Sequence, residues 1–252
     1  MSSTLTRLGL IFDLDGTLVD TAPDLLGATN AVLDAEGRSR IDPEALRHMV
    51  GFGARRLIAQ AMDATGAPAP DSEMPRLLDI FMGHYRLHLA DFSRPFPGVE
   101  DTLARLAAEG ARMGVLTNKP AELTGPLLAA MGLDRYFQAV WGAGRKPYTK
   151  PDPRIFHDVV AELFAGAGGP AVMIGDSITD LSTARSAGAP CVLVSYGYTP
   201  VPARELGADA LIDDFARLPE ALRALEPRSA GAALDSGRRG PYGDAPPDGR
   251  GA

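Results

Sequence analysis

The segment Ile11–Asp20 reads IFDLDGTLVD. It continues an apolar run from Leu8 that has the character of a strand buried on both faces, the pattern expected inside a parallel sheet. The run stops at two carboxylates, Asp13 and Asp15. Residues i and i+2 of an extended segment point the same way, so both acids face one place. Gly16 permits a tight turn and a close approach of backbone to ligand. Open α/β sheets hold their ligands at the carboxyl ends of such strands. Asp and Gly are also ordinary turn residues after a strand, so this segment is weighed with the rest of the chain.

Downstream, the pattern turns helical. Thr21 is a candidate N-cap and Pro23 fits a first turn. Leu25, Leu26, Val32 and Leu33 recur at helical spacing, and Gly37 is a stop. Asp42-Pro43-Glu44 opens a second helix carrying Leu46, Met49 and Val50. A third is expected from about Ala54 to Thr65 and a fourth from about Ser72 to Ala90. No strand pattern interrupts this block, which reads as an all-helical insert. After the proline-rich joint Ser93–Gly98, strands and helices alternate, the signature of βαβ units and a parallel sheet. Expected strands cover Arg112–Leu116, Phe137–Trp141, Ala171–Ile174, Cys191–Val194 and Ala210–Ile212. Thr117-Asn118-Lys119-Pro120 reads as the connection into a helix. Beyond about Pro227 the chain is rich in Gly, Pro, Arg and Asp and poor in large apolar groups, a composition expected to be disordered.

The 252 residues carry a formal net charge of −7, which argues against a nucleic-acid-binding surface. The one cysteine, Cys191, lies in an apolar strand, reads as a core residue and leaves no internal disulfide. No stretch approaches the ~20 apolar residues of a membrane span, and the start of the chain has no signal-peptide pattern. The expectation is a cytoplasmic protein, a monomer or homodimer, with a small-molecule partner.

Three apolar strands therefore end in polar residues at one sheet edge: Asp13 and Asp15, then Thr117 and Asn118, then Asp176 and Ser177. Lys150 precedes the last. Clustered carboxylates repel unless a cation sits among them, and hard oxygen ligands with substrate phosphate suit Mg²⁺. With phosphate present, Asp13 fits a nucleophile forming an acyl phosphate, and Asp15 a general acid and then base. Lys150 would balance charge and the Thr117 hydroxyl would hold phosphate oxygens. Each residue also has a plainer reading. Ser177-Ile178-Thr179-Asp180 matches a helix capping box, Thr117-Asn118 can simply start a helix, and Lys150 can be a solvated loop lysine.

In this order the motifs resemble those of the haloacid dehalogenase superfamily of phosphatases. Asp13-Leu14-Asp15-Gly16-Thr17 matches D-x-D-G-T, and Thr117 follows an apolar strand as in the second motif. Lys150-Pro151-Asp152-Pro153 matches K-P-x-P, and Gly175–Asp180 matches G-D-S-x-x-D. The resemblance implies an α/β Rossmann-like core formed by residues 1–19 and 94–226, with an α-helical cap, 20–93, inserted after the first motif. It implies Asp13 as nucleophile and metal ligand, Asp15 as acid/base with its carbonyl on Mg²⁺, and Asp176 as metal ligand. Asp180 would support the metal shell or Lys150, while Thr117, Asn118 and Lys150 would bind phosphate. Thr117–Pro120, Val50–Ala54 and Tyr196–Tyr198 are similar to bacterial phosphoglycolate phosphatases. Dehalogenases of the superfamily usually carry an aromatic residue in place of Asp15. Phosphonatases use a cap lysine, and no lysine precedes Arg94 here. The implied activity is hydrolysis of 2-phosphoglycolate. The alternatives are a broader phosphatase of sugar phosphates, nucleotides or pyrophosphate, a phosphosugar mutase, or a non-catalytic phosphate-binding module. Arg55 or Arg56, beside Gly51-Phe52-Gly53, is the candidate reader of a substrate carboxylate.

Overall fold

The computed structural model describes residues 7–225. Its centre is β1, Gly9–Phe12, every residue of which is buried. β1 lies between two parallel neighbours, β4 (Arg112–Pro120) and β6 (Ala171–Gly175). That position explains an uninterrupted apolar run where an edge strand would alternate. β5 (Ala139–Ala143) extends the sheet beyond β4. β7 (Cys191–Val194) and β8 (Ala210–Ile212) extend it beyond β6. The six-stranded order is β5-β4-β1-β6-β7-β8. Counted among these strands alone it is the doubly wound order 3-2-1-4-5-6, in which ligands lie at the carboxyl ends where the winding reverses.

Alternation along β1 divides the core. Leu10 and Phe12 face α5 (Val99–Ala108), α6 (Ala121–Ala130) and α10 (Leu218–Leu225) through Leu103, Leu127 and Leu222. Ile11 faces α7 (Pro153–Leu163) and α8 (Ile178–Ser186) through Val159 and Leu181. The expected α/β core with helices on both faces is therefore present. Cys191 is buried in it, as read from its apolar strand.

Four helices, α1 (Ala22–Ala35), α2 (Pro43–Arg47), α3 (Ala54–Ala64) and α4 (Met74–Leu87), gather around a separate apolar cluster. Val32, Leu46, Ile58, Leu77 and Phe81 form its centre, and Leu123 and Tyr198 reach it from the sheet side. The chain leaves and re-enters the sheet region through a short antiparallel pairing of β2, Val19–Asp20, with β3, Arg94–Pro95. Beside it, Asp24 of α1 accepts hydrogen bonds from the Ser93 hydroxyl (2.6 Å) and from the N–H groups of Ser93 (2.8 Å) and Phe92 (3.0 Å).

Three local expectations need correction. Thr117–Pro120 is not a connection but the end of β4, because pairing with β5 resumes at Pro120 and Ala143 after an irregularity. β5 begins two residues later than expected, because Asp134–Tyr136 form a 3-10 turn. Thr21 precedes α1 but makes no capping hydrogen bond; its hydroxyl instead donates to Asp15 Oδ1 at 2.7 Å. The glycine- and proline-rich segment after Pro227 lies outside the described residues. Among the described residues no helix is long and apolar enough to cross a membrane.

Candidate active site

β1 delivers Asp13 to the carboxyl edge of the sheet, where it is buried. Its Oδ1 accepts the Leu14 N–H at 2.7 Å and pairs with Lys150 Nζ at 2.9 Å. Among the described residues its Oδ2 has no hydrogen-bonding partner. Gly16, at φ +85°, turns the chain back, and a Cβ there would come within 2.5 Å of Asp176 Oδ2. The tight turn therefore needs glycine both for its backbone and for its contact. Asp13 and Asp15 line one cavity, as their i, i+2 spacing predicts.

The loop before α7 brings in Lys150, which is buried and also bonds Asp180 Oδ1 at 2.6 Å. Asp180 has both oxygens engaged. Its Oδ2 accepts from the Ser177 hydroxyl (2.7 Å) and from the N–H groups of Ser177 (3.1 Å) and Asp176 (3.2 Å). The capping box expected at Ser177 and the support of Lys150 are thus both properties of Asp180. Asp176, at the end of β6, accepts from the Thr17 hydroxyl at 3.0 Å and the Tyr198 N–H at 2.6 Å.

Thr117 is buried on β4 and lines the cavity with Asn118. The Asn118 amide donates to the carbonyls of Lys150 (3.2 Å) and Gly51 (3.3 Å), linking the sheet edge to the helical block. Its Oδ1 is buried without a partner among the described residues. The block closes the cavity with Leu25, Val50, Leu57, Phe81 and Tyr85.

Burial and mutual repulsion shape the charges. Burial pushes the Asp13 carboxyl up to about 7, against the pull of Lys150 and with the help of Asp180. Burial, then Asp180 and Asp13, hold Asp176 well above the usual carboxylate range. Burial alone would lower Lys150, but Asp13 and Asp180 more than offset it and keep it charged. Asp13, Asp176 and Asp180 each offer an oxygen within 4.8 Å of the others. An all-oxygen set of buried acids fits a hard divalent cation. Of the six oxygens of these acids, Asp13 Oδ2 is the one without a hydrogen bond among the described residues; the others already meet Leu14 and Lys150, Thr17, Tyr198, Lys150 and Ser177.

The structure brings together Asp13, Asp15, Thr117, Asn118, Lys150, Asp176 and Asp180. It does not bring in Arg55, whose guanidinium pairs with Asp71 at 2.6 Å in solvent. Its neighbours Ala54 and Leu57 turn to the cavity, so the helix phase of α3 carries Arg55 away. Two residues escaped sequence reasoning. Lys119 is buried, bonds Asp15 Oδ1 at 3.0 Å and also donates to the Tyr85 hydroxyl of α4. The missed signal is that Lys119 stands two residues after Thr117, on the same side once β4 continues extended. Tyr85 reads as one more apolar position of α4 until its hydroxyl is seen on Lys119.

A family model described as haloacid dehalogenase-like hydrolase matches residues 10–194. A phosphoglycolate phosphatase of Caulobacter vibrioides is 47% identical over 219 residues, covering 86% of this chain and 91% of that protein. One from Agrobacterium fabrum is 41% identical over 224 residues, covering 88% and 96%. Among solved structures, a predicted phosphoglycolate phosphatase from Haemophilus somnus superposes with a TM-score of 0.80 at 30% identity, covering 87% of this chain and all of that one. These matches span the strands and loops that carry every motif described above, and the chain belongs to the haloacid dehalogenase-like hydrolases, similar within them to phosphoglycolate phosphatases.

Proposed function

We propose that this protein is a Mg²⁺-dependent phosphomonoester hydrolase that cleaves 2-phosphoglycolate to glycolate and phosphate through an aspartyl-phosphate. The observation that carries the reading is the convergence of Asp13, Asp15, Thr117, Lys150 and Asp176 from separate strands and loops on one water-poor site. The relatives named phosphoglycolate phosphatase support the substrate.

Asp13 Oδ2, the oxygen without a protein partner, attacks phosphorus as the bond to the glycolate oxygen breaks. Asp15 gives that leaving oxygen a proton. Asp15 then takes a proton from water as the water oxygen attacks the phosphorus of the aspartyl-phosphate, releasing phosphate and restoring Asp13. Lys150 offsets the charge gathered at Asp13, and the Thr117 hydroxyl and the Asn118 backbone N–H hold phosphate oxygens. Mg²⁺ held by Asp13, the Asp15 carbonyl and Asp176 would neutralise phosphate charge and orient the reacting groups. The helices of residues 20–93 act as a cap that excludes water and limits substrate size. All these residues come from one chain, so a monomer suffices, and the setting proposed is the cytoplasm.

Phosphate release is measured from 2-phosphoglycolate, glucose 6-phosphate, pyrophosphate and nucleotide monophosphates, with Mg²⁺ and with chelator. The expected result is a Mg²⁺-dependent preference for phosphoglycolate, abolished in Asp13→Asn. Preference for another panel member overturns the substrate, and activity that survives in Asp13→Asn overturns the mechanism.

A further inference from the structure

We infer that Lys119 is the specificity residue of this site and binds the carboxylate of the phosphorylated substrate beside the leaving oxygen. This deepens, and rests on, the phosphatase reading above. The inference starts from where cations stand. The charged side chains lining the cavity are Asp13, Asp15 and Lys119, so Lys119 is its one lining cation among the described residues. The basic groups of the helical block are committed elsewhere. Arg47 pairs with Asp20, Arg55 with Asp71 and Arg86 with Glu122, while Arg56 stacks on Phe52 and lines a separate cavity on the other side of Asn118, with Lys150. Lys150 already serves Asp13 and Asp180.

The side chains that the helical block adds to the lining are otherwise apolar, Leu25, Val50, Ala54, Leu57, Phe81 and the Tyr85 ring, with the backbone of Gly51 and Gly53 between them. A carboxylate pressed against such a wall without a partner is strongly disfavoured. The same carboxylate on an ammonium gains a charge-assisted hydrogen bond. An ammonium has three donors. Lys119 directs two of them at Asp15 and Tyr85, and the third has no protein acceptor among the described residues.

Connectivity makes the placement specific. In phosphoglycolate a single methylene separates the leaving oxygen from the carboxylate. The group that protonates the oxygen and the cation that holds the carboxylate must therefore be neighbours. Asp15 Oδ1 and Lys119 Nζ are 3.0 Å apart. Tyr85, from the opposite side of the cavity, holds the ammonium in that position. A substrate whose carboxylate lies farther from its ester oxygen, or which has none, leaves Lys119 without this contact.

The test compares kcat/KM for 2-phosphoglycolate with that for 2-hydroxyethyl phosphate, its uncharged analogue of similar length, in wild type, Lys119→Met, Lys119→Arg and Tyr85→Phe. Wild type is expected to prefer the acid by tenfold or more. Lys119→Met should lose at least tenfold more kcat/KM on the acid than on the hydroxyethyl ester, and Lys119→Arg should retain part of the preference. Tyr85→Phe should keep the preference, because the cation remains. A Lys119→Met ratio equal to wild type overturns the inference. Equal loss on both esters also overturns it, since Lys119 would then act only through Asp15. A preference lost in Tyr85→Phe alone transfers the role to Tyr85 and overturns it as well. Should Lys119→Met not fold, binding of 3-phosphonopropionate and propylphosphonate to wild type and Lys119→Arg decides. Carboxylate-bearing phosphonate binding no tighter than the plain one overturns the inference. Wild type without any preference for phosphoglycolate sinks the substrate reading itself, whereas a preference that survives in Lys119→Met sinks only the role of Lys119.

Discussion

Asp13→Asn should make the metal-free protein more stable while removing its activity. The Asp13 carboxyl titrates at about 7 in the folded chain against 3.8 as an unperturbed group, chiefly because it is buried. A raised carboxyl gives the folded state an extra proton in the interval between these values. Its contribution to stability is complete below about pH 3.8 and is lost as pH rises through about 7. Above that, folding must bury an ionised Asp13 beside Asp176 and Asp180. At about 1.36 kcal/mol per pH unit, the interval sets a ceiling of about 4 kcal/mol. Weaker hydrogen bonds from the Leu14 N–H and Lys150 to a neutral amide oxygen offset part of it, leaving a gain of about 2–3 kcal/mol for Asn at about pH 8. Near pH 4 wild type and variant should be equally stable. Urea unfolding with chelator present, across pH 4–8, measures the difference directly. Saturating Mg²⁺ should reverse the order at about pH 8, because the variant lacks one ligand. A variant no more stable than wild type at about pH 8 in chelator would refute the charge reading of the acid cluster.

Two further substitutions separate contact from sequence position. At Gly197 a Cβ would lie 2.2 Å from Asp176 Cβ, so Gly197→Ala must displace the acid at the end of β6. Calorimetry should show Mg²⁺ binding weakened by about 10–100-fold, the range for altered support of a metal ligand, with far-ultraviolet dichroism unchanged. Arg55→Ala removes only an exposed pair with Asp71. It should leave KM for phosphoglycolate within about twofold and unfolding free energy within about 0.5 kcal/mol.

Much of the site is legible in the chain because strand ends and caps are local. The apolar run into Asp13, the glycine after Asp15 and the Ser177–Asp180 capping box each follow from neighbours in sequence. Helical spacing likewise identified the four helices of the insert. Reading failed where an element continued past its apolar pattern. β4 runs on through Thr117–Pro120 because Pro120 still pairs with β5, and that extension carries Lys119 inward with Thr117. Thr21 looked like a cap because a hydroxyl before a proline-containing first turn usually is one, yet Asp15 takes its hydrogen bond.

The sequence by itself determined the parallel sheet, the helical insert and the identity of the acids at the sheet edge, since these rest on periodicity and on residues a few positions apart. Only the tertiary structure decided which cation meets which acid. Lys119 reaches Asp15 across 104 positions and Tyr85 across 34. Arg55, one residue from the cavity wall, was turned out to solvent. The physical reason is that burying a charge is tolerable only beside its partner. Which partner is present depends on how the helical block packs over the sheet edge, and no local pattern encodes that.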